Sequence, residues 1–183
     1  TFVAVSYSGV GNRVMTSPDG ITWTSRSSAA DNSWQSITYG NGLFVAVGSS
    51  GTNRVMTSPD GITWTAGTIA GDDDSWYSIT YGNGLFVAAA DEVTNDAFAV
   101  SSDGITWTAS NYTLGAYYDD SYKLTYGNGL FVAVWGADST VVLTSTNGLD
   151  WTPRSAAGND DYWTAVTYGN GLFVAVGTGS DYI

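Results

Sequence analysis

An all-β fold built from one four-stranded unit repeated along the chain is predicted by three observations. The first is a block that recurs almost letter for letter. Tyr39-Gly40-Asn41-Gly42-Leu43-Phe44-Val45-Ala46-Val47 has counterparts beginning at Tyr81, Tyr126 and Tyr168, and Phe2-Val3-Ala4-Val5 is a fifth, truncated copy. The equivalent phenylalanines, Phe2, Phe44, Phe86, Phe131 and Phe173, are spaced by 42, 42, 45 and 42 residues, and a fixed period of that length marks a repeat architecture. The second is a companion block, Ser17-Pro18-Asp19-Gly20-Ile21-Thr22-Trp23-Thr24, recurring from Ser58, Ser101 and Ser145. The third is that no window carries a 3.6-residue apolar period, so essentially no helix is expected.

Within one unit, Trp34 to Tyr39 mixes polar and apolar residues and ends on Gly40-Asn41-Gly42, a hairpin signal. Leu43 to Val47 is a continuous apolar run, as expected of a strand buried on both faces. A Gly/Ser/Thr loop leads to a third strand, Arg54 to Thr57, and Pro59-Asp60-Gly61 turns the chain into a fourth, Ile62-Thr63-Trp64-Thr65. Aromatic residues Trp34, Trp76, Tyr122 and Trp163 open successive units. One array results, with a partial unit 1–33, units 34–75, 76–121 and 122–162, and a partial unit 163–183. Four strands in about 42 residues suit a β-propeller blade, whose sheets pack face to face around an axis. A β-solenoid fits less well, because its coils are shorter and lack two hairpin turns per unit. The expectation is a β-propeller with slightly more than four blades per chain.

Composition narrows the function. With 183 residues, 43% of them apolar and 14% aromatic, the chain can bury one sizeable core. Cysteine and histidine are both absent, which removes disulfide and thiolate chemistry and the commonest catalytic base. A net charge of −12 argues against nucleic acid, which needs a basic footprint, and against anionic membrane surfaces. No run of 18 apolar residues predicts a spanning helix. The sequence opens on Thr1-Phe2-Val3 with no leader pattern, as expected of a mature form or a piece of a longer chain; the compartment stays open, with the extracellular side favoured.

At its Ser-x-Asp-Gly-x-Thr-Trp blocks the sequence resembles the Asp-box, or BNR, repeat of sialidase-like propellers. That family's pattern has one more residue between Asp and Gly, and the block from Ser145 replaces the first Asp with Asn147 and the Thr with Asp150. The resemblance implies a blade-stabilising turn with no activity of its own. Physically, an Asx side chain can accept backbone N–H groups, Gly supplies a positive φ, and Trp anchors the turn. The catalytic set of sialidases (three arginines, a Tyr–Glu pair and an acidic Asp) does not map onto this chain. It has four arginines, two of them (Arg13 and Arg54) at equivalent repeat positions, and a single glutamate, Glu92. No enzyme is expected.

Strand alternation sorts the connections onto two rims. The Gly-Asn-Gly and Pro-Asp-Gly turns share a constant rim; the remaining loops share a variable one, where a rigid scaffold would carry binding. Acidic runs precede the first strands there: Asp31-Asn32, Asp72-Asp73-Asp74, Asp119-Asp120 and Asn159-Asp160-Asp161, with Asp91 in a neighbouring loop. They are candidates for a Ca²⁺ or ligand site, although none matches the spacing of an EF-hand loop, and solvated Asx turns are the simpler account. Trp135 and the pair Tyr117-Tyr118 break the repeat and are the candidate stacking surfaces for a glycan. The repeating Trp34, Trp76 and Trp163 are expected to pack between blades. Asn111-Tyr112-Thr113 matches a glycosylation acceptor.

The binding candidates are therefore Asp72, Asp73, Asp74, Asp91, Asp119, Asp120, Trp135, Asp160 and Asp161. The array is also out of phase: a first strand at Trp163 to Tyr168 could complete the unit that starts at Phe2. A strained four-blade monomer, a larger ring of two or more chains, or a piece of a longer propeller would each account for this. A homo-oligomer completing a ring is favoured, because open strand edges invite pairing. The functional expectation is a non-catalytic module for binding or self-assembly, natural or engineered, with a lectin or a glycosidase fragment as alternatives.

Overall fold

The computed structural model describes residues 1–69, 75–90, 97–110, 112, 122–135, 141–156 and 161–179, with only the backbone at 161 and 179. Every regular element among them is a strand. The first sheet holds β1 (Phe2–Val5), β2 (Val14–Ser17) and β3 (Thr24–Arg26). Three four-stranded antiparallel meanders follow. They are β4 (Trp34–Gly40), β5 (Leu43–Gly48), β6 (Val55–Ser58) and β7 (Thr65–Gly67); β8 (Trp76–Gly82), β9 (Leu85–Ala90), β10 (Phe98–Ser101) and β11 (Thr108–Ala109); and β12 (Lys123–Gly127), β13 (Leu130–Val134), β14 (Val141–Ser145) and β15 (Thr152–Ser155). The hairpin β16 (Asp161–Gly169) and β17 (Leu172–Gly179) forms the last sheet.

Turn chemistry explains the hairpins. Asn41, Asn83, Asn128 and Asn170 have φ of 46–50°, and each is followed by a glycine with φ near 80°. Two successive positive φ values are what a two-residue type I′ hairpin requires. The register is the same in each copy, with Tyr39 opposite Phe44, Tyr81 opposite Phe86, Tyr126 opposite Phe131 and Tyr168 opposite Phe173.

The outermost strands differ from expectation. The sequence predicts the fourth strand from Ile62, but β7 begins at Thr65. The Asp60 carboxylate takes the backbone N–H groups of Ile62 and Thr63, which removes them from the ladder and prolongs the turn through Trp64. Of the closures the sequence leaves open, pairing of the last first-strand with the first unit is not made among the described strands. β16 pairs with β17, and β1 pairs with β2 alone.

Blades pack in chain order, with the first strands β4, β8, β12 and β16 side by side. Alternating side chains give each sheet a leading face toward the next blade and a trailing face toward the previous one. Val45, Val47 and Val55 lead into Trp76, Phe86 and Ala88. Val87, Ala89 and Val100 lead into Leu124, Phe131 and Leu143. Val3, Val5 and Val14 lead into Trp34, Ala46 and Met56. The second strands of the three four-stranded blades are accordingly buried on both sides, with Val45, Ala46 and Val47 all at 0% exposure.

Candidate interaction faces

On the constant rim the Ser-x-Asx-Gly turns are hydrogen-bonded internally. Ser17 Oγ donates to Asp19 Oδ1 (2.9 Å), which also accepts the N–H groups of Ile21 and Thr22 (2.8 Å each). The Asp19 and Gly20 N–H groups donate back to Ser17 Oγ, and Trp23 Nε1 donates to the Gly20 carbonyl. Asp60 and Asp103 repeat the geometry. Hydrogen bonds to the ionised form lower a carboxyl pKa. The N–H groups of Thr22 and Thr63, followed by those of Ile21 and Ile62, hold Asp19 and Asp60 below the ordinary carboxylate value. The Thr106 and then Ile105 N–H groups bring Asp103 to about 2. Asn147 fills the same place with an amide oxygen, accepting from Leu149 and Asp150 N–H, and its Nδ2 donates to Asp150 Oδ2. The serine hydroxyls and the side chains of Asp19, Asp60, Asp103 and Asn147 are spent on the turn.

On the variable rim, candidates Asp72, Asp73, Asp74, Asp91, Asp119, Asp120 and Asp160, with Tyr117, Tyr118 and Asn111, lie outside the described residues, and Asp161 is described only as the backbone start of β16. Trp135 is 8% exposed, with its ring centroid 5.2 Å from that of Tyr122. It belongs to the core between the second and third four-stranded blades and presents no open ring face. Trp34 and Trp76 are buried between blades as well. Among the described residues no three His, Cys, Asp or Glu side chains converge as metal ligands.

What is described of this rim is latched by arginine. Arg13 Nε donates to the Gly9 carbonyl (2.8 Å) and Nη1 to the Asn32 carbonyl (2.6 Å), while Asp31 Oδ1 lies 3.8 Å from Nε and accepts Gly11 N–H. Arg54 Nε reaches the Gly51 carbonyl. One groove of about 440 Å³ runs between β11 and the Leu149-Asp150-Trp151 turn, lined also by Ser110 and Tyr112. Ser110 Oγ is buried there with no hydrogen-bond partner.

Among the described residues two sheet faces are left uncovered. On the trailing face of the first sheet Phe2 is 56%, Met15 43% and Trp23 39% exposed, whereas Phe86, Phe131 and Met56, at the places of Phe2 and Met15 in other blades, are at 0%. A cleft of about 300 Å³ lies over Ala4, Met15 and Trp23. On the leading face of the last sheet Val174 and Val176 are 50% and 56% exposed, whereas Val45 and Val47 are at 0%.

Between blades, a contact missing from the sequence reading recurs. The Tyr81 ring lies on Gly40, the Tyr126 ring on Gly82 and the Tyr168 ring on Gly127, so close that a Cβ on any of these glycines would fall inside the ring. The sequence does carry a signal for it. These glycines end strands and none has positive φ, and a strand glycine that no turn requires marks close approach of a neighbour.

No family model matches the chain, and no curated protein matches its sequence. Solved structures do match in shape. Virginiamycin B lyase from Staphylococcus aureus superposes with a TM-score of 0.72 at 15% identity, over 95% of this chain and 61% of that one. YCF48 from Cyanidioschyzon merolae gives 0.62 at 16% identity, over 91% and 58%. The computationally designed Ika4 protein gives 0.57 at 13% identity, over 81% and 87%. The chain thus spans about three fifths of the lyase and of YCF48. At these identities the likeness carries the fold and not the chemistry: the chain is an all-β array of propeller blades.

Proposed function

We propose that this chain is a non-catalytic propeller module whose working surfaces are its two uncovered blade faces, which receive a second copy head to tail. The observation that carries this reading is the contrast in exposure: Val174 and Val176 stand 50% and 56% exposed where the equivalent Val45 and Val47 are fully buried. Contiguous apolar surface of this kind marks an interaction site. Its natural complement is the trailing face of Phe2, Met15 and Trp23, because leading-on-trailing packing already joins the blades inside the chain. Such contacts are heterologous and close into rings when the rotation per copy allows. The Ser-x-Asp-Gly turns serve in this reading as Asp-box-type braces. Sedimentation velocity tests the proposal: species at multiples of 19.2 kDa are expected, and a clean monomer across the micromolar range overturns it. The non-catalytic part is tested by a hydrolysis screen on chromogenic sialosides and other glycosides, where turnover abolished by Glu92→Gln would reverse it.

A second reading, saccharide binding, is favoured by the groove beside β11. It combines the unpartnered Ser110 hydroxyl, the Asp150 carboxylate and the Tyr112 ring, the mixture of polar groups and aromatic surface that small-molecule sites use. Glycan-array binding lost in both Ser110→Ala and Asp150→Ala would support it; binding unaffected by either change would remove it.

A further inference from the structure

The tyrosine–glycine contact reveals how the two ends fit. In each internal joint the glycine ends the first strand of one blade and the tyrosine comes from the first strand of the next: Gly40 with Tyr81, Gly82 with Tyr126, Gly127 with Tyr168. Each tyrosine is braced by the phenylalanine opposite it, at ring-centroid separations of 4.7, 4.8 and 4.7 Å. Two halves of the same joint stand empty. Gly169 has nothing within 4 Å of the place where a Cβ would sit. Tyr39 is 57% exposed, yet it is already braced on Phe44 at 4.6 Å and 51°, the posture of the other three rings.

We propose that Tyr39 of one copy seats on Gly169 of a second copy, with β16 of that second copy taking the first-strand place in front of β1, β2 and β3. Three features fix this assignment. Tyr39 belongs to the blade that follows β1–β3, so the glycine it would cover lies on the first strand of the β1–β3 sheet, the one strand that sheet lacks. β16 is a first strand by register, since it pairs with β17 as β4 pairs with β5, including the shift after the tryptophan. The strand beside β16 is interchangeable, because Phe173–Val176 and Phe2–Val5 are the same tetrapeptide, Phe-Val-Ala-Val. Either copy can therefore supply it opposite β2, where Ala4 faces Met15 as Ala46 faces Met56. Two copies joined at both ends would carry three complete blades each and two shared ones, which falls in the usual range of four to eight blades.

The inference rests on the head-to-tail reading above, and the test separates the two. A Cβ at Gly169 meets nothing within 4 Å in a single copy, and the residue lies at an ordinary φ, so Gly169→Val is expected to fold while its side chain fills the socket. Wild type is expected to sediment at a multiple of 19.2 kDa. Gly169→Val and Tyr39→Ser should each weaken association by about tenfold or more with unchanged far-UV circular dichroism. Mixing the two variants should restore mixed complexes, since one joint then keeps the native Tyr39 and Gly169 while the other carries both substitutions. Wild-type assembly with undiminished association of Gly169→Val refutes the Tyr39–Gly169 joint and leaves head-to-tail packing standing. A monomeric wild type removes both.

Discussion

Alanine at Gly82 probes the blade joint at its tightest point. The new methyl would fall under Tyr126, against Cγ and both Cδ atoms, whereas carbon atoms prefer about 3.5–4.0 Å of separation. The ring must lift off the strand and away from Phe131, 4.8 Å from it between centroids. Overpacking of this kind costs about 1–3 kcal/mol, and a disturbed aromatic pair adds about 0.5–1.5 kcal/mol. A loss of about 2–4 kcal/mol is expected, which lowers Tm by roughly 2–4 °C per kcal/mol for a chain of this size. Urea midpoints would fall by about 1 M or more at m near 2 kcal/mol/M. The measurement is made in the Tyr39→Ser background at low micromolar concentration, which minimises any contribution from the proposed assembly. In that background Gly169→Ala, in the same Tyr-Gly-Asn-Gly context but with an empty neighbourhood, is expected to stay within about 0.5 kcal/mol. Gly82→Ala added to Tyr126→Ala should cost almost nothing, a coupling that a double-mutant cycle reads directly. If Gly82→Ala leaves the urea midpoint in place, or adds in full to Tyr126→Ala, the tyrosine–glycine joint is not the close contact described.

Three other expectations follow from the turns and the core. Asp103 ionises at about 2 in the folded chain against 3.8 unperturbed, and Asp19 and Asp60 are lowered too. Folded pKa values below the unfolded ones stabilise above about pH 4, and that contribution is lost as pH falls toward about 2. Urea midpoints recorded from pH 7 to 2 should show this acid limb, and a triple Asp19→Asn, Asp60→Asn, Asp103→Asn variant that kept the limb unchanged would contradict the assignment. Phe98 is fully buried, stacked on Trp151 at 3.9 Å and edge-on to Tyr122 at 5.5 Å, so Phe98→Ala should cost about 3–5 kcal/mol and flatten the near-UV circular dichroism. Asn83 sits at φ 50°, so Asn83→Ala should cost about 1–2 kcal/mol while Asn83→Gly stays close to wild type in the same denaturation assay.

The architecture is legible in the sequence because the strand and turn signals are local and repeated. Asn41-Gly42 dictates its hairpin by φ alone, and the run Leu43 to Val47 announces a strand covered on both faces. The fourth strand starts three residues later than the sequence suggests, since a side-chain acceptor at Asp60 competes with the sheet for the N–H groups of Ile62 and Thr63. Trp135 is unreadable as a core residue because it departs from the repeat, and only the tertiary structure brings Tyr122 against it. The Phe98–Trp151 stack is hidden for a similar reason: residues more than 50 apart meet across a blade boundary. The uncovered faces escape a sequence reading because exposure of Val174 against burial of Val45 distinguishes two copies of one identical segment. That difference lies in their neighbours.

The tyrosine–glycine joint is a purely local rule, and this has a consequence for copy number. Each of the three joints links a blade only to the one before it, so the joint itself does not encode how many blades there should be. The arrangement is quasi-one-dimensional, like a brick whose shape sets the course and leaves the length of the wall unspecified. Duplicating one internal unit, for example residues 76–121, would preserve both of the joints flanking it, Gly40 with Tyr81 and Gly82 with Tyr126, and create a third of the same kind. Under the proposed joint, ring size would be fixed where the growing arc meets the Tyr39 and Gly169 of its two ends, and number would become a property of closure.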